Sequence, residues 1–218
     1  MCGRMTLFNI SESLAKPPGL PAASLTDGLP PARYNIAPTQ PIAAYIPEAN
    51  SGGQPQLRAV RWGLRPHWKK DDSGPVLFNA RAETVRAKPS FRDAFQTGRC
   101  LIACDGYYEW SNRQPYWIST TERMWFAGLY AGDTATIITT ASVGQLEQLH
   151  HRMPRILEPS EMPLWLGDAT SAADLLVPVD VAAFDWEFRE VSTQVNSASN
   201  EGPELLEAAV VTEPPQLF

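Results

Sequence analysis

Residues 100–141 read CLIACDGYYEWSNRQPYWISTTERMWFAGLYAGDTATIITTA. This segment contains short runs of β-branched and aromatic residues, each bounded by turn-forming residues, which is the pattern of consecutive strands. The runs are Cys100 to Cys104, Gly106 to Trp110, Tyr116 to Ser119, Trp125 to Tyr130 and Thr136 to Ala141. Their spacing favours a curved, mainly antiparallel sheet or barrel over alternating strand and helix units.

The rest of the chain adds a few strands and short helices to this core. Prolines break residues 15–56 into short extended pieces, of which Ile42 to Ile46 is a predicted strand. Further strands are predicted at 57–62 and 186–192. Helices are predicted at 90–97, with Ser90 as cap and Gly98 as stop, and at 142–149, 159–166 and 169–176.

Size and composition indicate one globular α+β domain over residues 1–218. The chain has 24.1 kDa, 44% hydrophobic and 19% charged residues, which excludes a disordered tail. Its 20 prolines and 14 glycines argue against a helical bundle. We find no internal repeat, no membrane-spanning apolar run and no signal peptide, so we expect a cytoplasmic protein.

The cysteines and glycines give no sign of a metal or an organic cofactor. Cys2, Cys100 and Cys104 are too few for a disulfide framework or a four-ligand zinc site. The chain also lacks a glycine-rich phosphate loop and a dinucleotide fingerprint. We expect Cys100 and Cys104 to pack in the core, together with three tryptophans, Trp62, Trp117 and Trp125.

Charge is distributed unevenly along the chain. The net charge is −6, yet residues 1–110 hold 13 Lys and Arg against 9 Asp and Glu, whereas residues 111–218 hold 5 against 15. A basic half allows a local site for a polyanion on an acidic protein.

Cys2 is the most unusual residue for chemistry. Removal of Met1 would leave a cysteine with a free α-amine beside its thiol, a 1,2-aminothiol. The two groups have pKa values of about 8.0 and about 8.5, so part of each is nucleophilic near neutral pH. The amine can condense with an aldehyde and the thiol can then close a thiazolidine ring. The thiol could instead attack an amide, and a buried packing role is the third reading.

Six ordered blocks resemble a known family. They are MCGR at 1–4, RYNIAP at 33–38, WGLRPHW at 62–68, NARAET at 79–84, DGYYEW at 105–110 and HHRMP at 150–154, joined by Val195-Asn196 and GPEL at 202–205. Together they resemble the SRAP family, named for "SOS response-associated peptidase", over nearly the whole chain. The resemblance implies that Cys2 crosslinks covalently to abasic sites in single-stranded DNA and protects them.

The same resemblance implies the catalytic residues. Glu109 and His150 match the acid/base positions, and Asn79 matches an amide that orients the sugar and the amine. A glutamate and a histidine both suit the reaction, because ring opening, water loss and thiol addition each require transfer of a proton. From the strand pattern alone, Glu109 would equally face solvent, and the two histidines would serve as helix caps. His151 stands where the family commonly has an acidic residue.

The resemblance also implies residues that bind DNA. Arg4, Arg81 and Arg152 correspond to phosphate or sugar contacts, Trp68 and Trp110 to stacking residues, and Asn35 and Pro38 to the wall of the site. Arg65, Lys69 and Lys70 are further candidates for backbone contacts. Single-stranded DNA requires such cations and flat side chains. The structural alternative is that the tryptophans belong to the core.

Two other functions stay open at this point. One is a thiol peptidase or amidase with Cys2 as nucleophile and His150 as base, including self-removal of Met1. The other is a non-covalent binder of single-stranded DNA. Protein partners and oligomeric state are not indicated by the sequence.

Overall fold

The structure is a computed structural model that describes residues 2–25, 31–47, 53–69 and 74–209. Two residues discussed above, Met1 and Lys70, lie outside these ranges. The strands, in chain order, are β1 Met5–Leu7, β2 Ser24–Leu25, β3 Arg33–Ile36, β4 Pro41–Ile46, β5 Gln56–Trp62, β6 Asn79–Arg81, β7 Arg99–Cys104, β8 Gly106–Ser111, β9 Gln114–Thr120, β10 Met124–Ala131, β11 Thr134–Ala141, β12 Arg152–Pro154 and β13 Trp186–Glu190.

Helices in the described part of the chain are short. The α-helices are α1 Arg92–Thr97, α2 Met162–Leu166 and α3 Ala169–Asp174. Single 3-10 turns occur at Glu12–Ala15, Gly144–Gln148, Val181–Ala183, Thr193–Asn196 and Pro203–Leu206. The fold is therefore mixed α+β with a mostly sheet core, as the sequence predicts.

An eight-stranded sheet closes into a ring. Its strand order is β12-β11-β10-β7-β4-β5-β2, and β6 pairs with β11 outside this path. The ring closes where β11 also pairs in parallel with β5, through Thr134 with Arg61 and Ala135 with Trp62. The parallel pairing of β6 with β11 sets Asn79 beside Ile137 and Arg81 beside Thr139.

A five-stranded sheet lies against this ring, in the order β13-β9-β8-β1-β3. Its five strands pair antiparallel. Gly106 is the first residue of β8, and the side chain of Trp117 from the neighbouring strand packs directly against it. A Cβ atom at Gly106 would come within 2.2 Å of the indole nitrogen of Trp117, so a larger residue is sterically excluded.

The two faces of the five-stranded sheet are covered differently. Met5 and Tyr107 point to the ring and join its side chains, such as Phe126, in the main hydrophobic core. Tyr108 and Trp117 point the other way and pack on Val191 and Val195 from the C-terminal segment. Because side chains alternate along a strand, Tyr107 and Glu109 share the face toward the ring.

Most sequence predictions for the core are confirmed. Trp62, Trp117 and Trp125 are buried, as are Cys100 and Cys104. The first helix is a correction: α1 begins at Arg92, and Phe91 rather than Ser90 is its N-cap residue, with no side-chain cap bond. The predicted helix at 142–149 is a 3-10 turn over Gly144–Gln148, and the predicted strand at 186–192 ends at Glu190.

Candidate active site between the two sheets

Cys2 lies between the two sheets. Its side chain is fully buried in the main hydrophobic core, just before β1. The neighbouring backbone runs beside β8, where the Tyr108 N–H donates to the carbonyl oxygen of Arg4 at 2.9 Å. Thus the head of the chain is fixed against the strand that carries Glu109.

The surroundings of Cys2 keep its thiol protonated. Burial is the largest effect and the Glu109 carboxylate is the second, and both raise the pKa of the Cys2 thiol well above its usual range. The Arg4 backbone N–H lowers the pKa less. At neutral pH the sulfur is therefore a thiol that needs a base before it can attack.

Asn79 holds the Cys2 backbone from the other side. Its side-chain nitrogen donates to the carbonyl oxygen of Cys2 at 2.7 Å. Asn79 is the first residue of β6, so this bond ties the head of the chain to the eight-stranded sheet. The amide oxygen of Asn79 is buried without a hydrogen-bond partner in the described structure, and is available to a ligand.

Glu109 is buried rather than solvent-facing. Only 5% of its surface is exposed, so the alternative that it lies on the polar side of β8 is wrong. Tyr107 lies two residues earlier on the same face and is also buried. The pKa of the Tyr107 hydroxyl is raised well above the usual range, first by burial and then by Cys2, Glu109 and Cys104.

His150 and His151 follow the 3-10 turn at Gly144–Gln148. His150 is half-buried, and its Nδ1 accepts the Arg152 backbone N–H at 3.0 Å. His151 is exposed, and the two rings lie 4.2 Å apart. The pKa of His151 is lowered, mainly by electrostatic repulsion from His150. The half-buried ring of His150 is thus the one held in place by backbone contacts.

Arg152 is engaged by a residue that sequence reasoning did not single out. Its guanidinium forms a bidentate ion pair with Glu83, at 2.5 and 3.1 Å, and donates to the Thr139 carbonyl oxygen. The hydrogen bond from Arg152 lowers the pKa of Glu83. Glu83 lies in the NARAET block, four residues after Asn79, and this position was the only sequence feature that pointed to it.

Arg4 and Asn35 form a clamp on the C-terminal segment. Asn35 is fully buried and donates to the carbonyl oxygens of Val195, Ser197 and Asn200 at 3.3, 2.9 and 2.8 Å. Arg4 donates to the Asn35 side-chain oxygen and to the Val195 carbonyl, each at 2.6 Å. These two side chains therefore shape the site from within.

The predicted aromatic and cationic contacts differ in exposure. Trp68 is 54% exposed, so the alternative that it is a core residue is wrong. Trp110 is half-buried, and its indole nitrogen donates to Asn196 at 2.7 Å. Arg81 is exposed at the end of β6, and Pro38 is half-buried in a turn before β4.

Of the predicted catalytic residues, Asn79 and Glu109 act directly on Cys2, and His150 lies next to a strand of the sheet that carries Asn79. That strand is β12, which pairs with β11. A pocket of about 450 Å³ in the described part lies elsewhere, lined by Trp125, Leu157, Met162 and Phe184 among others. None of the predicted site residues lines it.

The described residues contain neither a cluster of metal-binding side chains nor a membrane-spanning helix. No group of three or more His, Cys, Asp or Glu residues there is arranged to hold a metal ion. Within the same ranges, no helix has the length and apolar character needed to cross a bilayer.

Comparison with known proteins identifies relatives over most of the chain. The chain is 38% identical to the abasic site processing protein YoqW of Bacillus subtilis, over 95% of this chain and all of that protein. It is 33% identical to HMCES of Gallus gallus, an abasic site processing protein, over 69% of this chain and 56% of that protein. It is 28% identical to YedK of Escherichia coli, of the same designation, over 83% and 86%.

A solved structure and a family model also match most of the chain. A crystal structure of a protein from Bacteroides thetaiotaomicron superimposes with a TM-score of 0.68 at 26% identity, over 81% of this chain and 85% of that one. The family model described as SOS response associated peptidase (SRAP) matches residues 1–198. From this match and the 38% identical relative, we conclude that the chain belongs to the SRAP family.

Proposed function

We propose that this protein processes abasic sites in single-stranded DNA by forming a covalent thiazolidine crosslink through Cys2 after Met1 is removed. The observation that carries the proposal is the setting of Cys2: its carbonyl is bonded to Asn79 and its thiol lies in the field of Glu109. The printed names of the relatives, abasic site processing proteins, support the choice of substrate.

The first step joins the amine to the sugar. Proton transfer opens the cyclic hemiacetal of the abasic deoxyribose to its C1′ aldehyde. The neutral α-amine of Cys2 adds to this carbon, and loss of water leaves a protonated imine. His150 and Glu109 move the protons of these steps, and Asn79 keeps Cys2 oriented. An intact Met1 prevents this step, because an amide nitrogen cannot form the imine.

The second step closes the ring. The Cys2 sulfur attacks the imine carbon, the S–H proton passes to Glu109, and the electron pair of the C=N bond moves onto nitrogen. The products are a thiazolidine and, from the first step, one water molecule. The raised pKa of the thiol suits this order, because the sulfur is inert until the imine is formed and a base is at hand.

Contacts to DNA are assigned by exposure. Trp68 offers an exposed ring on which a base can stack, a contact of about 1–3 kcal/mol. Arg81 offers an exposed cation for a phosphate. Arg4, Asn35 and Arg152 have polar atoms bonded within the protein, so we assign them to shaping the wall of the groove together with Pro38 and Trp110.

The peptidase alternative is less well supported by the electrostatics. A peptidase cysteine works as a thiolate, and its pKa is lowered by a neighbouring cation. At Cys2 the two largest influences, burial and the Glu109 carboxylate, raise the pKa instead. A thiol that stays protonated is a poor nucleophile toward an amide and an adequate one toward a protonated imine.

The test is a denaturing gel with a single-stranded oligonucleotide that carries one abasic site. Intact mass first establishes that Met1 is absent from the purified protein. We expect a denaturation-resistant band with the abasic strand and none with the undamaged strand. Cys100→Ser, which changes a buried thiol on β7 away from the site, should keep the band, whereas Cys2→Ala should lose it.

Three outcomes contradict the proposal. The first is no stable band from protein that lacks Met1. The second is a stable band of full intensity from Cys2→Ala. The third is binding to both strands that disappears with salt and leaves no covalent species, which would support the non-covalent binder. Cleavage of added peptides without a band would support the peptidase.

A further inference from the structure

Tyr107 is a buried polar group that the mechanism above does not use. Only 1% of its surface is exposed, and its hydroxyl has no hydrogen-bond partner in the described structure. Its ring packs edge-on to Phe126, with 5.9 Å between ring centres and an interplanar angle of 79°. A phenylalanine would make this ring contact equally well, so packing does not account for the hydroxyl.

Two other tyrosines with buried rings show how such a hydroxyl is usually hydrogen-bonded. Tyr108, the next residue on β8, donates its hydroxyl to the Tyr34 carbonyl oxygen at 2.8 Å, and Tyr45 donates to the Pro21 carbonyl at 3.0 Å. Buried polar groups in native proteins are nearly always bonded, and an exception often marks a functional site. Tyr107 is such an exception.

The position of Tyr107 relates it to the reacting groups. Tyr107 of β8 pairs with Met5 of β1, and Met5 lies three residues after Cys2 in the chain. Tyr107 also shares the ring-facing side of β8 with Glu109. Cys2, Glu109 and Cys104 are the charged or ionisable groups that act on its hydroxyl. All three, when ionised, are negative and favour a protonated tyrosine, so the oxygen is held as a hydrogen-bond donor.

We propose that Tyr107 is a further catalytic residue for ring closure, whose hydroxyl donates a hydrogen bond to the negative charge that develops on the Cys2 sulfur as its proton passes to the Glu109 carboxylate. This inference rests on the proposed function and extends it. As the S–C bond forms, the S–H proton moves to Glu109 and the C=N electron pair moves to nitrogen. Tyr107 keeps its own proton throughout and stabilises the sulfur while it is partly deprotonated.

The test separates imine formation from ring closure in Tyr107→Phe. Mature protein reacts with the abasic oligonucleotide in the presence of sodium cyanoborohydride, which reduces the imine to an amine two hydrogen atoms heavier than the thiazolidine. We expect ring closure to slow about 5- to 30-fold, because one hydrogen bond to a developing charge is lost. The reduced amine should increase accordingly, and the pH at which closure is half-maximal should rise.

Tyr108→Phe is the matched control, since it removes a hydroxyl from the adjacent residue on the opposite face of β8. It should close at the wild-type rate and lose stability, because the Tyr34 carbonyl loses its donor. Tyr107→Phe should melt at or above the wild-type temperature, because its hydroxyl has no partner to lose.

The outcomes distinguish the two proposals. If wild-type protein forms the thiazolidine and Tyr107→Phe closes it at the same rate with the same pH profile, the role of Tyr107 is overturned and the crosslinking function stands. If wild-type protein forms neither imine nor thiazolidine, the crosslinking function fails and the role of Tyr107 fails with it.

Discussion

One amide side chain ties the head of the chain to the larger sheet. Asn79 donates to the Cys2 carbonyl, and aspartate at this position would set two oxygens against each other. We expect Asn79→Asp to slow crosslinking by about 100-fold, because a displacement of about 1 Å at a reacting group costs that much. Single-turnover gel kinetics measure the effect.

Asn112→Asp is the matched change for this experiment, since Asn112 is exposed in the turn between β8 and β9. It should react at the wild-type rate. The orienting role of Asn79 is refuted if Asn79→Asp also stays within twofold of wild type while its melting temperature is unchanged.

The ionisation of Cys2 gives a second prediction for a single residue. Because burial and Glu109 raise the pKa of its thiol, less thiolate is present at any pH than in free cysteine, whose pKa is about 8.5. In protein that retains Met1, we expect alkylation of Cys2 by iodoacetamide to be more than about tenfold slower than for free cysteine at pH 8. The rate should still increase between pH 9 and 10, where that of free cysteine levels off.

Peptide mass spectrometry of timed samples measures this labelling. The same protein in urea provides the reference, because unfolding restores the ordinary pKa. Labelling of native Cys2 that levels off near pH 9 would show that its thiol is not perturbed.

The resemblance of the ordered blocks to the SRAP family suggested the candidate site, but not the burial of its members. The DGYYEW block identified Glu109, yet alternation allowed either face of β8, and the structure places it toward the ring. Tyr107 and Glu83 were not singled out from sequence, because one looks like an ordinary core aromatic and the other like a surface charge. Their roles depend on contacts between segments that sequence periodicity does not report.

At the level of elements, a single buried side chain holds the segment after β13. Asn35 donates to three carbonyls of residues 195–200 and accepts from Arg4. We expect Asn35→Ala to lower the free energy of unfolding by about 3 kcal/mol, at about 1 kcal/mol for each of the two amide N–H groups and the amide oxygen that lose their partners. Urea denaturation measures the loss, and hydrogen exchange of residues 193–200 should become faster.

Asn200→Ala is the comparison, because the Asn200 side chain makes one exposed bond, to the Gln194 carbonyl, while its backbone carbonyl still accepts from Asn35. Its stability should stay within about 0.5 kcal/mol of wild type. Equal losses in the two variants would argue against the clamp.

The elements that sequence missed are those without a local pattern. β6 reads Asn-Ala-Arg, has one buried side chain, and exists because β11 pairs with it. The 3-10 turn at Gly144–Gln148 was predicted as a helix, since the two helix types share similar periodicity over five residues. The predicted start of α1 was wrong, because Ser90 makes no cap bond. The sequence analysis did not single out Asp168, which caps α3 by accepting bonds from the backbone N–H groups of Thr170 and Ser171.

For the whole molecule, the three buried thiols predict alkaline sensitivity. Burial raises the pKa of Cys2, Cys100 and Cys104 above that of free cysteine, which is about 8.5. Above about pH 9 the unfolded chain loses thiol protons that the folded chain keeps, so ionisation favours unfolding. The free energy of unfolding should fall by up to about 1.4 kcal/mol per pH unit for each thiol.

Urea denaturation at pH 7.5, 9.0 and 10.0 tests this dependence. Cys100→Ala should be less stable at pH 7.5, because it leaves a cavity, and should show a shallower decline with pH. A free energy of unfolding that is flat up to pH 10, or a decline that Cys100→Ala leaves unchanged, would contradict the prediction.

The α+β fold class could be predicted from sequence, and the closure of the ring could not. The consecutive runs in 100–141 predicted antiparallel strands, and these form β7 to β11. Closure depends on the parallel contact of Arg61 and Trp62 with Thr134 and Ala135, which are far apart in sequence and joined by no turn signal. Neighbouring strands can be inferred from turns, whereas distant pairing depends on the whole three-dimensional arrangement.

The enclosed position of Cys2 decides how this protein can be produced and labelled. Its side chain is fully covered within the core, so an affinity tag or fluorescent fusion ahead of it would have to leave from between the two sheets. Such a fusion would also convert the α-amine into an amide. Fusion partners belong at the other end of the chain, because Glu207 and Ala208, near the last described residue, are exposed.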